Sequence, residues 1–413
     1  MNRVLILSAS AGAGHVRAAQ ALEKAFRTSD NIADVQHADS LLYTSIPFRS
    51  VYSKGYIEMV NTSPAILGLL YDYADVPWKD EQRRLTIDRL NALPLIRLIN
   101  KYKPDMVVCT HFLPAEIISY LICKKRIDTK LAVVVTDMDI HAMWLCHHYS
   151  NYFVALDETR AHMQSLGFAG DRIVASGIPV DPVFQERKDK TAMRIKYGLD
   201  PSQHTIYMSS GGFGVGRAEE TLAELSKVRH PIQVLAMCGK NRDLYQRVAS
   251  LRYDLPADTN LSIVPVGFTT DVDEYMAASD MVLGKPGGLT TSEALCRGLV
   301  FVVVNPIPGQ EERNSDHLLE KGAAIRCNNL PTLAYKVDSL LDDQERFLEI
   351  KNNVMELARP HAATNIANAL LTESMEPKTV TDSNHACRKS IVRRVRTQVP
   401  AAVRRIADRL ALM

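Results

Sequence analysis

Short apolar runs rich in β-branched residues alternate along this chain with longer segments whose apolar positions recur every three or four residues. In the first half the runs are RVLILS near residue 5, DMVVCT near 107, LAVVVT near 133, NYFVAL near 153 and RIVAS near 173. The alternation stops at a charged stretch and restarts with TIYMSS near 207, IQVLAMC near 234, LSIVPVG near 264, DMVLGK near 282 and VFVVV near 302. A strand that is apolar at nearly every position is buried on both faces, and helices between such strands make the sheet parallel. Two such sets predict two Rossmann-like α/β domains. The break follows SGIPVDPVF, residues 176–184, where turn-forming residues lead into QERKDKTAMRIK. The expected division is an N-terminal domain over 1–178, a C-terminal domain over 179–371 and a tail over 372–413.

One insertion interrupts the pattern. Residues 41–80 hold Tyr43, Tyr52, Tyr56, Tyr71, Tyr73 and Trp78 among many aliphatics, between the second strand region and a long helix predicted to end near Tyr102. Internal packing and a greasy surface both account for that composition.

At 413 residues, 46% hydrophobic and 23% charged, the chain has material for two buried cores and lacks the composition of a disordered protein. No uninterrupted apolar stretch reaches the roughly 18 residues of a membrane span, and the first residues run into a strand without a signal-peptide layout. Seven scattered cysteines, without a C-x-x-C pair, read as reduced thiols. A cytoplasmic protein is expected. The formal charge of +2 hides an asymmetry: residues 384–413 carry eight lysines and arginines against Asp408, a net +7, leaving −5 on residues 1–383. In that tail Ile391, Val395, Val399, Val403, Ile406 and Leu410 form an apolar stripe flanked by arginines, with Pro400 interrupting it. This pattern suits an anionic membrane surface. Nucleic acid is disfavoured, because the tail has no aromatic residue for base stacking.

Three loops offer anion chemistry. In LILSASAGAGHVRAAQAL a strand ends near Ser8 and a helix opens near Gly14, so His15 faces the carboxyl ends of the strands, the usual ligand crevice of an open α/β sheet. The third glycine of a dinucleotide fingerprint is missing. A helix N-terminus disfavours the charged imidazole and suits a neutral base, although a plain capping histidine would have the same sequence. The string SSGGFGVGR, Ser209–Arg217, is the better phosphate cradle, through Gly211, Gly212 and Gly214, and lacks the G-K-[ST] ending of an ATP-binding loop. In GKPGGLTTSEALCRG, Gly287, Gly288, Leu289 and Thr290 open another helix that could hold a diphosphate, with Glu293 one turn on, where a carboxylate can accept both ribose hydroxyls. Gln310 and Glu311 in NPIPGQEERNS suit sugar hydroxyls.

Together with VVVTDMDIHAMW, SGIPVDPVF, CGKN and VGFTTDVDEYMAASD, these strings resemble the monogalactosyldiacylglycerol synthase and processive diacylglycerol glucosyltransferase family over about residues 1–371. More distant is a resemblance to the peptidoglycan N-acetylglucosaminyltransferase that acts on a lipid-linked muramyl pentapeptide. The resemblance implies a GT-B fold, two Rossmann-like domains facing across a cleft. It also implies inverting, metal-independent transfer from a UDP-sugar on the C-terminal domain to a lipid acceptor on the N-terminal one. By position, His15 matches the histidine near the acceptor hydroxyl. Gly211, Gly212 and Gly214 match the diphosphate-facing loop, Phe268 the uracil contact, and Gly287, Gly288, Leu289 and Thr290 the second phosphate turn. Glu293 matches the ribose-binding acid, and Gln310 and Glu311 the donor-sugar contacts. The first loop departs from the three adjacent glycines of many relatives, and the second lacks the acid that some place after its glycines.

The resulting expectation is transfer of a hexose from a UDP-hexose to diacylglycerol, giving a β-glycosyl glycolipid, by a cytoplasmic protein peripheral on the cytoplasmic membrane. Arg217 and Lys240 are candidate cations for the departing diphosphate. Asp137 and His141 are placed on the acceptor side, Asp137 as a catalytic residue whose role is unassigned. Neither a cofactor nor a metal is expected, since the spacing of Asp137, Asp139, His141, His147 and His148 fits no common zinc pattern. Three alternatives stay open: a UDP-N-acetylglucosamine transferase acting on a polyprenyl or lipopolysaccharide acceptor, a UDP-sugar epimerase, and a non-catalytic sensor of nucleotide sugar or lipid.

Overall fold

A computed structural model describes residues 2–29, 32–50, 52, 55–78, 81–209, 218–254, 259–372 and 376–380. The chain divides into two compact units: Met1–Pro182 with Ile307–Gln310 and His361–Met413, and Val183–Pro306 with Glu311–Pro360.

The first unit is built on strands β1 (Asn2–Ser8), β2 (Ile32–Asp39), β3 (Met106–Cys109), β4 (Lys130–Val134), β5 (His148–Tyr149), β6 (Asn151–Val154) and β7 (Ile173–Ala175). Six of them form a parallel sheet in the order β2-β1-β3-β4-β6-β7. Successive side chains alternate between its faces. Val4, Ile6, Val108, Ala132, Val134 and Phe153 pack with Leu22 and Phe26 of helix Ala13–Arg27 and with Ile366 and Leu370 of helix Ala362–Thr372. Leu5, Leu7, Val107, Cys109, Leu131 and Val133 pack on the other side with Leu113, Ile117 and Leu121 of helix Phe112–Cys123 and with Trp144. Every strand of this sheet runs the same way, so the loops after β1 and β3, which bracket the switch in strand order, come together at one edge.

The insertion folds as helices Ile46–Ser50, Tyr56–Thr62 and Pro64–Ala74. Tyr43, Tyr52 and Trp78 pack against the core, so packing accounts for these aromatics. The long helix expected to reach Tyr102 is two, Glu81–Asn91 and Leu93–Tyr102. Pro94 is the reason: it lacks the amide of a continuing helix and its ring opposes the carbonyl four residues back.

The second unit contains β8 (His204–Ser209), β9 (Ile232–Gly239), β10 (Leu261–Gly267), β11 (Met281–Gly284), β12 (Val300–Val304) and β13 (Ala324–Cys327), parallel in the order β10-β9-β8-β11-β12-β13. This is the dinucleotide-fold order, with its switch between β8 and β11. There the strands approach so closely that a Cβ on Gly284 would stand 2.9 Å from the Ser209 carbonyl oxygen. A last strand, β14 (Lys378–Thr379), pairs antiparallel with β5 and brings Val380 into the first unit's core.

Candidate active site

At the switch point of the first sheet the loop after β1 is held in place by Ser40, whose hydroxyl donates to the Ser8 carbonyl at 2.6 Å, and by the Ser10 amide donating to Asp39 at 3.1 Å. Helix Ala13–Arg27 then opens without a side-chain cap, presenting His15 in its first turn. The chain leaves β3 through Thr110, whose amide donates to the Leu7 carbonyl at 2.9 Å. His15 Nδ1 lies 3.1 Å from the Thr110 carbonyl oxygen and 2.7 Å from the Thr136 hydroxyl, while the Thr110 hydroxyl donates to the His15 carbonyl at 2.9 Å. A carbonyl oxygen can only accept, so the imidazole proton belongs on Nδ1 and Nε2 keeps its lone pair. Burial lowers the His15 pKa to about 4, against the raising effect of the Thr110 carbonyl, so the ring is neutral at physiological pH. What results is a fixed, uncharged base.

Beside it stands His111, a buried residue that sequence reasoning missed. Its ring meets that of His15 edge to face, with centroids 4.6 Å apart and planes at 84°, and Trp144 lies about 6 Å from both imidazoles. The Tyr52 ring lies 6.0 Å from His111. Thr110, His111 and Thr136 have a shared sequence signal, polar residues directly after the apolar runs of β3 and β4, but nothing local says that they converge on His15.

Asp137, next in the chain to Thr136, is buried and accepts from the side-chain amide of Gln310, a residue that groups with the first unit. The Asp139 carboxylate accepts from the Ile140 amide at 2.8 Å. His141 donates through Nε2 to the Tyr71 carbonyl at 2.9 Å and accepts at Nδ1 from the Met143 amide at 3.2 Å, so both ring nitrogens tie this loop together. His147 stacks on Trp78 and bonds the Val380 carbonyl, and His148 bonds Thr379.

In the second unit the strand order reverses between β8 and β11. Gly211, Gly212, Gly214 and Arg217, in the loop after β8, lie outside the described residues. The loop after β11 is positioned by buried Asn314, whose amide donates to the Pro286 carbonyl at 2.9 Å. Gly287 caps helix Gly288–Cys296 without a side chain, which leaves the first-turn amides of Gly288, Leu289 and Thr290 without a side-chain cap, and Glu293 is buried one turn inside. A Cβ on Gly287 would lie 3.9 Å from a Glu311 carboxylate oxygen, so the glycine turn and Glu311 are neighbours. Phe268, after β10, is 65% exposed, with the Lys240 ammonium 4.9 Å above its ring. Backbone amides, a cation and an open aromatic face are groups that a nucleoside diphosphate can use.

Two Rossmann-like units, one with a neutral imidazole at its switch point and the other with a glycine turn at its own, place the chain in the GT-B class of glycosyltransferases. Among solved structures with this fold are MurG of Acinetobacter baumannii, at a TM-score of 0.59 and 15% identity over 90% of this chain and all of that one, and Anabaena HepE in complex with UDP-glucose, at 0.52 and 12% over the same shares. Residues 15–180 match the family model for monogalactosyldiacylglycerol (MGDG) synthase and residues 207–356 that for glycosyl transferases group 1. The chain is 30% identical over 382 residues to a processive diacylglycerol beta-glucosyltransferase of Bacillus cereus, covering 91% of this chain and 95% of the relative. It is 29% identical over 373 residues to that of Staphylococcus saprophyticus, covering 89% and 92%. The chain belongs to the monogalactosyldiacylglycerol synthase and processive diacylglycerol glucosyltransferase family.

Proposed function

We propose that this protein is an inverting hexosyltransferase that moves a sugar from a UDP-hexose to the free hydroxyl of diacylglycerol at a membrane surface. The observation that carries the reading is the geometry of His15, a neutral imidazole with Nε2 unprotonated, in a chain whose relatives are named for this transfer. His15 Nε2 takes the hydroxyl proton as the hydroxyl oxygen bonds to the anomeric carbon. The bond from that carbon to the diphosphate breaks with its electron pair leaving on UDP, and inversion of an α-linked donor gives a β-glycoside. Charge growing on the diphosphate is met by the turn at Gly287–Thr290 and by Lys240, with no metal required. The family resemblance gives the same role to Gly211, Gly212 and Gly214, and the sequence offers Arg217 for it; these four lie outside the described residues. Phe268 serves the uracil, Glu293 the ribose, and Gln310 and Glu311 the hexose. Asp137, beside Gln310, belongs to the same reacting centre.

Among the described residues no helix is long and apolar enough to cross a membrane. Lipid access is supported instead by exposed Leu42, Ile46, Leu90 and Leu93, between 50% and 72% accessible. Ser45 bonds Asn91 through both its amide, at 3.1 Å, and its hydroxyl, at 2.6 Å, which brings the two apolar segments together. Such a patch on a lipid-modifying enzyme fits a membrane contact, on the cytoplasmic face where nucleotide sugars are held.

The test is incubation of the full chain with diacylglycerol in detergent micelles and, separately, UDP-glucose, UDP-galactose and UDP-N-acetylglucosamine. UDP release and lipid mass are followed with and without EDTA. The expected result is a β-hexosyl diacylglycerol and turnover indifferent to EDTA. Donor binding without UDP release would assign the chain to sensing instead.

A further inference from the structure

His111 is more than a helix cap. Its Nδ1 accepts the Leu113 amide at 3.1 Å, capping helix Phe112–Cys123. Aspartate, asparagine, serine or threonine would cap better, being the favoured residues there. With Nδ1 used as an acceptor, the neutral ring carries its proton on Nε2. The side chain is only 2% exposed, yet among the described residues Nε2 has no hydrogen-bond partner. With no protein group taking it, this donor is free to meet a ligand beside His15. His15 shows the reverse arrangement, with its proton on Nδ1 and a bare Nε2, and the two rings meet at 4.6 Å. One imidazole can only give a hydrogen bond and its neighbour can only take one. A hydroxyl group is the smallest ligand that answers both. Burial and the neighbouring His15 hold the His111 pKa well below that of a free histidine, which keeps this pairing of tautomers intact at neutral pH.

The geometry points to His111 as a second catalytic residue, whose Nε2–H donates to the oxygen of the acceptor hydroxyl while His15 Nε2 receives that hydroxyl's proton. The His111 proton does not move. Its hydrogen bond fixes the rotation of the hydroxyl, so that one lone pair faces the anomeric carbon as the O–H bond faces His15. This inference rests on the transferase reading above and adds a role to it.

Two variants separate this role from capping. The substitution His111→Asn keeps an oxygen to accept the Leu113 amide and an N–H to donate, whereas His111→Asp keeps the cap alone. Wild-type turnover tests the transferase reading; the ratio of His111→Asn to His111→Asp tests His111. With melting temperature and UDP-sugar Kd alike in both, His111→Asn is expected to exceed His111→Asp in kcat by about tenfold or more, the loss of one hydrogen bond to the reacting group. Equal kcat in the two variants would reduce His111 to a helix cap and overturn the proposal. A pH profile adds a second readout: the carboxylate of His111→Asp, placed beside His15, should move the acid limb of kcat/KM to higher pH, and an unmoved limb would also count against it.

Discussion

At the scale of single residues, the prediction with most at stake concerns His15. Replacing it with alanine removes the base and leaves the second unit's nucleotide groups untouched, so turnover should fall by about a hundredfold or more with UDP-sugar affinity unchanged. Unchanged turnover would remove His15 from the chemistry. The wild-type acid limb of kcat/KM should lie near pH 4, where the part-buried ring finally protonates, rather than near the 6.5 of a free histidine. The same shift governs stability. A folded-state pKa below the unfolded one means that the unfolded chain binds the proton more readily, so the contribution is present above pH 6.5 and lost as pH falls towards 4. It amounts to about 3 kcal/mol. Chemical unfolding at pH 7 and 4.5 should therefore show His15→Ala losing less stability on acidification than the wild type, and equal losses would contradict the desolvated, neutral ring. His15 was legible in the sequence because a strand, a small-residue loop and a helix surround it. Thr110, His111 and Thr136 were not, because their relation to His15 is made by the sheet, across about a hundred residues of chain.

At the scale of elements, the interior apolar runs declared their strands, whereas β13, with Ala-Ile-Arg-Cys at the sheet's edge, offered no such run and went unpredicted. In the insertion, composition alone could not divide the aromatic residues that pack inward from the aliphatic residues left outside, because the division follows how each short helix lies on the sheet. Helix Glu81–Asn91 is fastened to helix Phe112–Cys123 by Arg84, which grips Glu116 through two hydrogen bonds, at 2.8 and 3.2 Å. Asp88, one turn further on and buried, has its pKa raised to about 7 by burial and then by the Glu116 charge, against the attraction of Arg84. A folded-state pKa above the ordinary 3.8 means stability that is complete below that value and lost as pH rises through 7. Asp88→Asn cannot ionise. It should be more stable than the wild type at pH 8, by at most about 4 kcal/mol and so with a higher melting temperature, and like the wild type near pH 4. A melting temperature at pH 8 equal to or below the wild type's would mean that the carboxylate is satisfied as a charge.

For the whole molecule, the question is how a protein without a spanning helix among its described residues reaches an acceptor dissolved in a bilayer. The exposed apolar side chains proposed to meet it, Leu42, Ile46, Leu90 and Leu93, belong to the first unit, as does the imidazole pair. The second contact we propose is the basic tail, residues 384–413, which lies outside the described residues and whose charge of +7 opposes the −5 of the rest of the chain. Each Lys or Arg close to an anionic leaflet contributes about 1 kcal/mol and is screened by salt, whereas apolar burial responds little to salt or to headgroup charge. The two contacts can therefore be told apart by lipid composition. In vesicle flotation, deletion of residues 384–413 should weaken binding to anionic vesicles and abolish most of its salt dependence, with little effect on neutral ones. Serine at Leu42, Ile46, Leu90 and Leu93 together should weaken binding to both kinds. Anionic binding untouched by the deletion would leave the tail without a membrane role, and neutral-vesicle binding untouched by the four serines would show that lipid is met on another surface.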